Sequence, residues 1–513
     1  MADIVYRANI STQKIPLLST DGGRSVVVPQ QDQSYVRGVT GSEDAPSAIG
    51  IPQIYYLENA LPTDGGYQSV GYSKFIAPDL AIAMIEEAYE VRNDIGNAAL
   101  IGFAPSTGDF YAYIIGFSAW QHITQIPAAV GKRVSVAHAS GTSYLYISNV
   151  GCYKYNFLTN ALNSVTLQGL TPEDIIGIVS SSGYLIAISS NAIAWSSTTD
   201  VTDFVPSLET GAGGGGIEAA RGELVCGIDA YAGFVIFSTN NAVSAIYSGN
   251  PRYPFNFSEI TGSGGLVSEE YAAYSSNSAA TFAYTTAGLQ SLTFKQATTV
   301  FPDITDFLSG EVIEQFNYDT NTLTQSYSGV MKKKMVMVAN RYLIISYGSY
   351  FSETYTHAIV LDIVLKQYGK LAIPHRDVIE FTVYNQNQYE VPKRSIGIIS
   401  DFGELNTVDF TFQTPTHRGV LLFGKYQLIR SRYLQLQRVD ADNMYSGSSI
   451  SAAVSLDGKT SGEFTAGYDA SLNPSSLSRR YNFRKTGYNA SVLVKGTFDL
   501  NSLVLTFNPH GAR

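Results

Sequence analysis

The stretch TGAGGGGIEAARGELVCGI, residues 210–228, sets Gly211, Gly213 and Gly216 in the order G-x-G-x-x-G, with Asp229 just beyond. In a dinucleotide-binding enzyme such glycines turn a buried strand into a helix. The helix N-terminus then holds a pyrophosphate, and a later acid takes a ribose hydroxyl. The flanks do not supply that setting. The preceding WSSTTDVTDFVPSLE carries two aspartates, a proline and a Ser/Thr run, so it is no buried parallel strand. IEAARGE is too short for a helix before Gly222, and LVCGIDAYAGFVIF resumes as a hairpin. The glycines are expected to form a flexible or close-packed loop in an all-β protein.

Other chemistry-bearing residues are weighed in the same way. Ser19-Thr20-Asp21-Gly22-Gly23 begins like an Asp-box, but Val26 stands where the aromatic belongs and the motif is solitary, so it reads as a simple turn. Glu269-Glu270 would act as a glycosidase pair only if folding placed another acid ~5–9 Å away. The histidines at 122, 138, 357, 375, 417 and 510 lack metal-ligand spacing. No G-x-S-x-G elbow occurs. Neither metal, cofactor nor catalysis is expected. Cys152 and Cys226 sit in apolar runs and read as buried free thiols.

Two basic stretches remain. Lys332, Lys333 and Lys334 form the only dense run. Arg479, Arg480, Arg484 and Lys485 interleave with Tyr481 and Phe483, a pattern that can touch phosphate and stack on bases. Both stretches are candidate DNA or partner contacts. Both equally suit solvated turn faces or salt-bridge partners at a subunit contact.

The elements that would carry these residues are short strands cut by turns. Paired apolar runs recur at 143–157, 183–197, 232–248, 279–294, 340–349, 357–371 and 394–405, each with a polar or glycine-bearing link. They return about every 40–50 residues from 100 to 410, a period that suits four-stranded propeller blades. Stacked β-sandwiches are the rival architecture. PDLAIAMIEEAYEVRND puts Leu80, Met84, Ala88 and Val91 on one helical face, which predicts a helix near 79–94 with Glu86, Glu87 and Glu90 on its wet side. The expected division is an extended N-terminal arm over 1–40, a β-propeller-like core over 41–419 and a small C-terminal β-sandwich over 420–513.

Composition agrees with an all-β class. Charged residues make up 15% of the 513 residues, against ~25% in typical soluble domains, and 35 tyrosines help fill the gap. The net charge of −10 disfavours tight nucleic-acid binding, which depends on Lys and Arg displacing counterions. No run reaches the ~20 apolar residues of a membrane helix, and no signal-peptide core opens the chain. Folding in a cytoplasm is expected.

AIAWSSTTDVTDFVPS, residues 192–207, resembles a signature of tail proteins of short-tailed bacteriophages: a strand ending in Trp195-Ser196, a turn with Asp200 and Asp203, and Phe204 and Pro206 closing it. VLDIVLKQYGKLAIPHRDVIEF, residues 360–381, is similar to another element of that family, through Asp362, Lys366, Tyr368, Gly369, Lys370 and His375, with Tyr368 where the family has Trp. FGKYQLIRSRYLQLQ adds a C-terminal match. The family is the tail nozzle, also called the packaged-DNA stabilisation or tail tubular type-B protein, and the resemblance spans roughly 180–513. It implies a propeller-based structural subunit of a hexameric ring in the virion tail. Such a ring is assembled in the host cytoplasm below the portal and adaptor, beside tail fibres or tailspikes, and passes double-stranded DNA without sequence specificity. Two other classes stay open. One is a tail-associated propeller that binds or hydrolyses surface polysaccharide, although only Trp120 and Trp195 are available to line a sugar site. The other is a cellular propeller scaffold.

Overall fold

The computed structural model describes residues 4–9, 17–21, 24–28, 54–62, 67–76, 85–113, 119–250, 253–309, 312–319, 322–327, 331–349, 352–365, 367–383, 393–409, 418–427, 434–443, 450–456, 478–487 and 489–509. Seven four-stranded antiparallel meanders follow one another along the chain. Their innermost strands are Glu87–Arg92, Val134–Ala139, Ile175–Ser181, Leu224–Ala230, Ala272–Ser275, Met331–Val338 and Asp377–Val383. Each inner strand packs beside the next, and the seventh returns to the first. The protein is therefore a seven-bladed β-propeller with a second β unit attached.

The ring closes by borrowing a strand. Blade 7 supplies Asp377–Val383, Lys393–Ile399 and Leu405–Asp409, and its fourth strand is Gly71–Ile76, from before blade 1. Apolar slabs fill the gaps between blades. Leu185, Ala187 and Phe204 join blades 2 and 3, while Ile236, Phe234 and Ile188 join blades 3 and 4. Ile85, Trp120, Phe381 and Leu405 join blades 7 and 1. A propeller has no single core. Both faces of every inner sheet are covered, so its strands read as nearly continuous apolar runs.

The second unit is assembled from both ends of the chain. Gly419–Gln427 pairs with Ile54–Glu58 and with Asn489–Gly496, which also pairs with Ile450–Leu456. The other sheet runs Ser478–Gly487, Leu434–Asn443, Asp499–Pro509, and then Tyr67–Ser69 and Ala60–Pro62. It reaches the last strand of blade 6, Gln367–Leu371, through the pair Lys370 and Ala60. Ile4–Asn9 pairs with Asp499–Pro509. Residues 4–9 are thus part of this sheet and no free arm. Residues 54–62 likewise belong with the C-terminal unit, and the propeller proper starts at Gly71.

Two local expectations are corrected. The helix expected over 79–94 is a strand over Glu87–Arg92, and positions 77–84 lie outside the described residues. The buried positions there, Ala88 and Val91, are three apart, which a twisted strand between two blades and a helix both produce. The helical segment is instead Pro302–Ser309, opened by proline, with Ile304 and Leu308 fully buried. The glycine loop is also a strand. Gly213–Gly216 forms the outer edge of blade 3 against Ala192–Trp195. Glycine's low strand propensity hides it, but at Gly213 and Gly214 the neighbours approach too closely for a side chain. A Cβ at Gly214 would stand 2.5 Å from the Ile193 carbonyl oxygen.

Gly369 marks the junction of the two units for the same reason. A Cβ there would meet the Ala60 carbonyl oxygen at 2.4 Å and the Leu61 Cα at 2.9 Å. Gly369→Ala is expected to part blade 6 from Ala60–Pro62 while leaving the blades folded. Limited proteolysis should then release a propeller-sized fragment faster than from wild type. An unchanged digestion pattern would show that this close approach does not hold the units together.

Candidate functional site

The inner strands of a propeller all run the same way, so their starts gather at one mouth of the axis. Charged residues collect there from five blades. Glu87 opens the inner strand of blade 1, and Arg133 precedes that of blade 2. Glu269 and Glu270 lie in the single turn Glu269–Tyr271 before blade 5. Lys332 and Lys334 lie near the start of blade 6, and Asp377 opens blade 7.

Asp377 is the hub. It is buried, its Oδ1 lies 2.7 Å from Lys334 Nζ, and it accepts the N–H groups of Ala88 at 3.1 Å and Val378 at 2.7 Å. One carboxylate thus ties blades 6, 7 and 1 where the circle closes. Burial works to lower the Lys334 pKa, but Asp377, Glu270, Glu87 and Tyr355 outweigh it and raise it, so the ammonium stays charged. Burial raises the Asp377 pKa, opposed mainly by Lys334.

Burial pushes Glu87 up to about 7, against the pull of Lys334 and a hydrogen bond donated by the Tyr89 hydroxyl. Glu269 is also pushed up to about 7 by burial, opposed by Arg133 and reinforced by Glu270 and Glu87. A glutamate oxygen of Glu269 lies 4.0 Å from where a Cβ on Gly177 of blade 3 would stand. Its side chain therefore extends from blade 5 toward blade 3. Two acids that gain and lose protons near neutrality can exchange protons with a bound ligand. Glu269 and Glu270 do find a further acid nearby in Glu87.

The lysine run is divided by strand alternation. Lys334 pairs with Asp377, and Lys332 lies 4.5 Å from the centre of the Tyr355 ring. Lys333 is buried on the opposite face. It lies 4.6 Å from the Tyr284 ring centre and donates to the Met331 carbonyl at 3.2 Å. The run is no exposed turn, and at least two of its three charges are engaged within the chain. Arg479, Arg480 and Arg484 lie on the strand Ser478–Gly487, with their side chains outside the described residues.

The signature residues have structural work. Trp195 Nε1 donates to the Gly211 carbonyl at 3.0 Å, and its indole covers Gly213, where a Cβ would come within 3.0 Å. Ser196 is fully buried and donates its hydroxyl toward Ser197 O while accepting the Leu185 N–H at 3.0 Å. Asp200 caps the Thr202 N–H at 2.9 Å, and Asp203 caps Val205 at 2.9 Å. Phe204 is buried between blades 2 and 3. Asp362 is buried, ion-paired with Arg341 at 2.6 Å, and caps Val364 and Leu365. Tyr368, Gly369 and Lys370 line the junction strand, all buried. His375 is held neutral by burial, its pKa down to about 4, with Nε2 2.8 Å from the Ser346 hydroxyl. Cys152 and Cys226 are free and buried, and burial raises Cys152 to about 12. Lys366 lies outside the described residues. Asp21 pairs with Arg24 across Gly22 and Gly23, a plain hairpin.

The hub residues Asp377 and Glu87 were not legible as site residues. Their only sequence signal is an acid at the first position of a blade's inner strand. No helix among the described residues is long and apolar enough to cross a membrane.

No protein-family model matches the chain, and no curated protein matches it. Among solved structures it is similar to the WD40 β-propeller domain of Doa1, at 9% identity over 66% of this chain and 97% of that one, with a TM-score of 0.37.

Proposed function

We propose that the chain is a structural subunit of a ring-shaped tail nozzle of a short-tailed bacteriophage. In this reading the ring sits below the portal and adaptor, retains packaged DNA and conducts it at ejection, with fibres or tailspikes at its side. The reading rests on the resemblance of residues 192–207 and 360–381, and one structural observation carries it further. A single sheet runs from blade 6 into the second β unit through the pair Lys370 and Ala60, joining the two parts as a ring subunit requires. In this reading the DNA passage lies between subunits of the ring. A net charge of −10 suits a passage that must let phosphates slide.

The test is the native mass of the full-length chain, alone and mixed with an adaptor ring. A six-copy species in either sample is the expected result. A monomer in both would overturn the ring.

One observation favours a second reading, a propeller acting on surface polysaccharide: Glu87, Glu269 and Glu270 gather at the axial mouth, and burial raises Glu87 and Glu269 toward neutrality, as a glycoside-cleaving acid requires. Incubation with host capsule or lipopolysaccharide separates the two. Release of new reducing ends, abolished by Glu269→Gln, would favour the enzyme.

A further inference from the structure

Among the described residues, eight apolar side chains are at least 60% exposed, and six of them stand on one face of the propeller. Ile95 and Tyr231 lie between the first and second strands of blades 1 and 4. Leu158, Leu208, Tyr253 and Val364 lie between the third and fourth strands of blades 2, 3, 4 and 6. Every blade is an antiparallel meander that starts at the charged mouth, so both kinds of connection fall at the opposite end. Single exposed apolar residues are ordinary, but a set gathered on one face marks a contact surface. Among the described residues the exposed charges in these connections are mostly acidic: Asp94, Asp200, Glu209 and Asp229, against Lys295.

We propose that this face receives the strand Ser478–Gly487 of a second copy of the chain. That segment carries Arg479, Arg480, Arg484 and Lys485 with Tyr481 and Phe483, and no acid. Asp440 stands in register opposite Arg480 on the neighbouring strand. Among the described residues the strand pairs on one side only, with Leu434–Asn443, and ends its sheet. An acidic apolar face and a basic aromatic edge complement each other in both charge and composition. The two surfaces differ, so the contact is head-to-tail, the kind that closes into rings. It deepens the ring reading and depends on it for closure.

The experiment uses three full-length chains: wild type, a face variant (Leu158→Ser, Tyr231→Ser, Tyr253→Ser) and a strand variant (Arg479→Glu, Arg484→Glu). Sedimentation gives their masses, and near-UV circular dichroism checks their folding. Each variant alone should be monomeric where wild type assembles. Mixed, they should form a one-to-one dimer, because one intact face meets one intact strand. Folded variants that assemble like wild type would overturn this contact and leave the ring standing. A wild-type chain monomeric alone and beside the adaptor would overturn both. If the face variant loses its near-UV signal, Tyr231→Ser alone, at a turn tip 90% exposed, replaces it.

Discussion

Lys334→Met should cost about 3–5 kcal/mol of stability at pH 8, the range for removing one partner of a buried ion pair. Methionine matches the length of the lysine stem, so the loss is electrostatic. The ammonium lies 2.7 Å from Asp377 Oδ1, and without it the Asp377 carboxylate keeps only the N–H groups of Ala88 and Val378. The damage falls where blades 6, 7 and 1 meet, so urea unfolding should begin at lower concentration with the closure strand Gly71–Ile76 among the first to exchange its amide protons. The sign of the pH dependence follows. Asp377 is already raised by burial, and losing Lys334 raises it further. A carboxyl raised in the native state loses stability as pH rises, so the deficit should shrink on acidification. The double variant Lys334→Met, Asp377→Asn should recover part of the loss, since it removes the unpaired charge and the Asn oxygen still accepts from Ala88, while the Val378 N–H loses its acceptor. A single variant as stable as wild type at pH 8 would show that the pair contributes nothing net.

What the sequence made legible is local. The expected pairs at 143–157, 183–197 and 232–248 are the second and third strands of blades 2, 3 and 4. Apolar runs about a short link carry that information by themselves. Two strands escaped because their residues served another end. Gly213 had to be free of a side chain beneath Trp195, and Gly214 against Ile193, while Met331–Val338 had to carry lysines inward to Asp377 and the tyrosines. Run 340–349, expected as a pair, is one strand, Tyr342–Ser349, whose partner is that lysine strand. The axial cluster was out of reach for a different reason. Glu87, Glu269 and Asp377 are separated by more than a hundred residues at each step, and only the closing of the circle brings them together. The same holds for the second unit, whose strands come from both ends of the chain.

Glu269→Gln should stabilise the fold at pH 8 and lose that advantage near pH 5. Glu269 is raised from 4.5 to about 7, so between those values the native chain keeps a proton that the unfolded chain releases. Its contribution is therefore most favourable below about 4.5 and declines as pH climbs through 7. A shift of that size corresponds to an upper limit of about 3 kcal/mol. The groups facing it divide in sign: Arg133 and Lys334 favour its charge, while Glu270 and Glu87 oppose it. Glutamine keeps the shape, removes the charge and also relieves Glu87. The wild-type curve alone would conceal this. His375, lowered to about 4, and His357, also lowered by burial, add stability as pH rises toward the ordinary histidine range, opposing the two glutamates. The difference between variant and wild type cancels the histidines and isolates the carboxyl. A variant weaker than wild type at every pH would instead mean that the Glu269 carboxylate is held ionised by Arg133 across the axis.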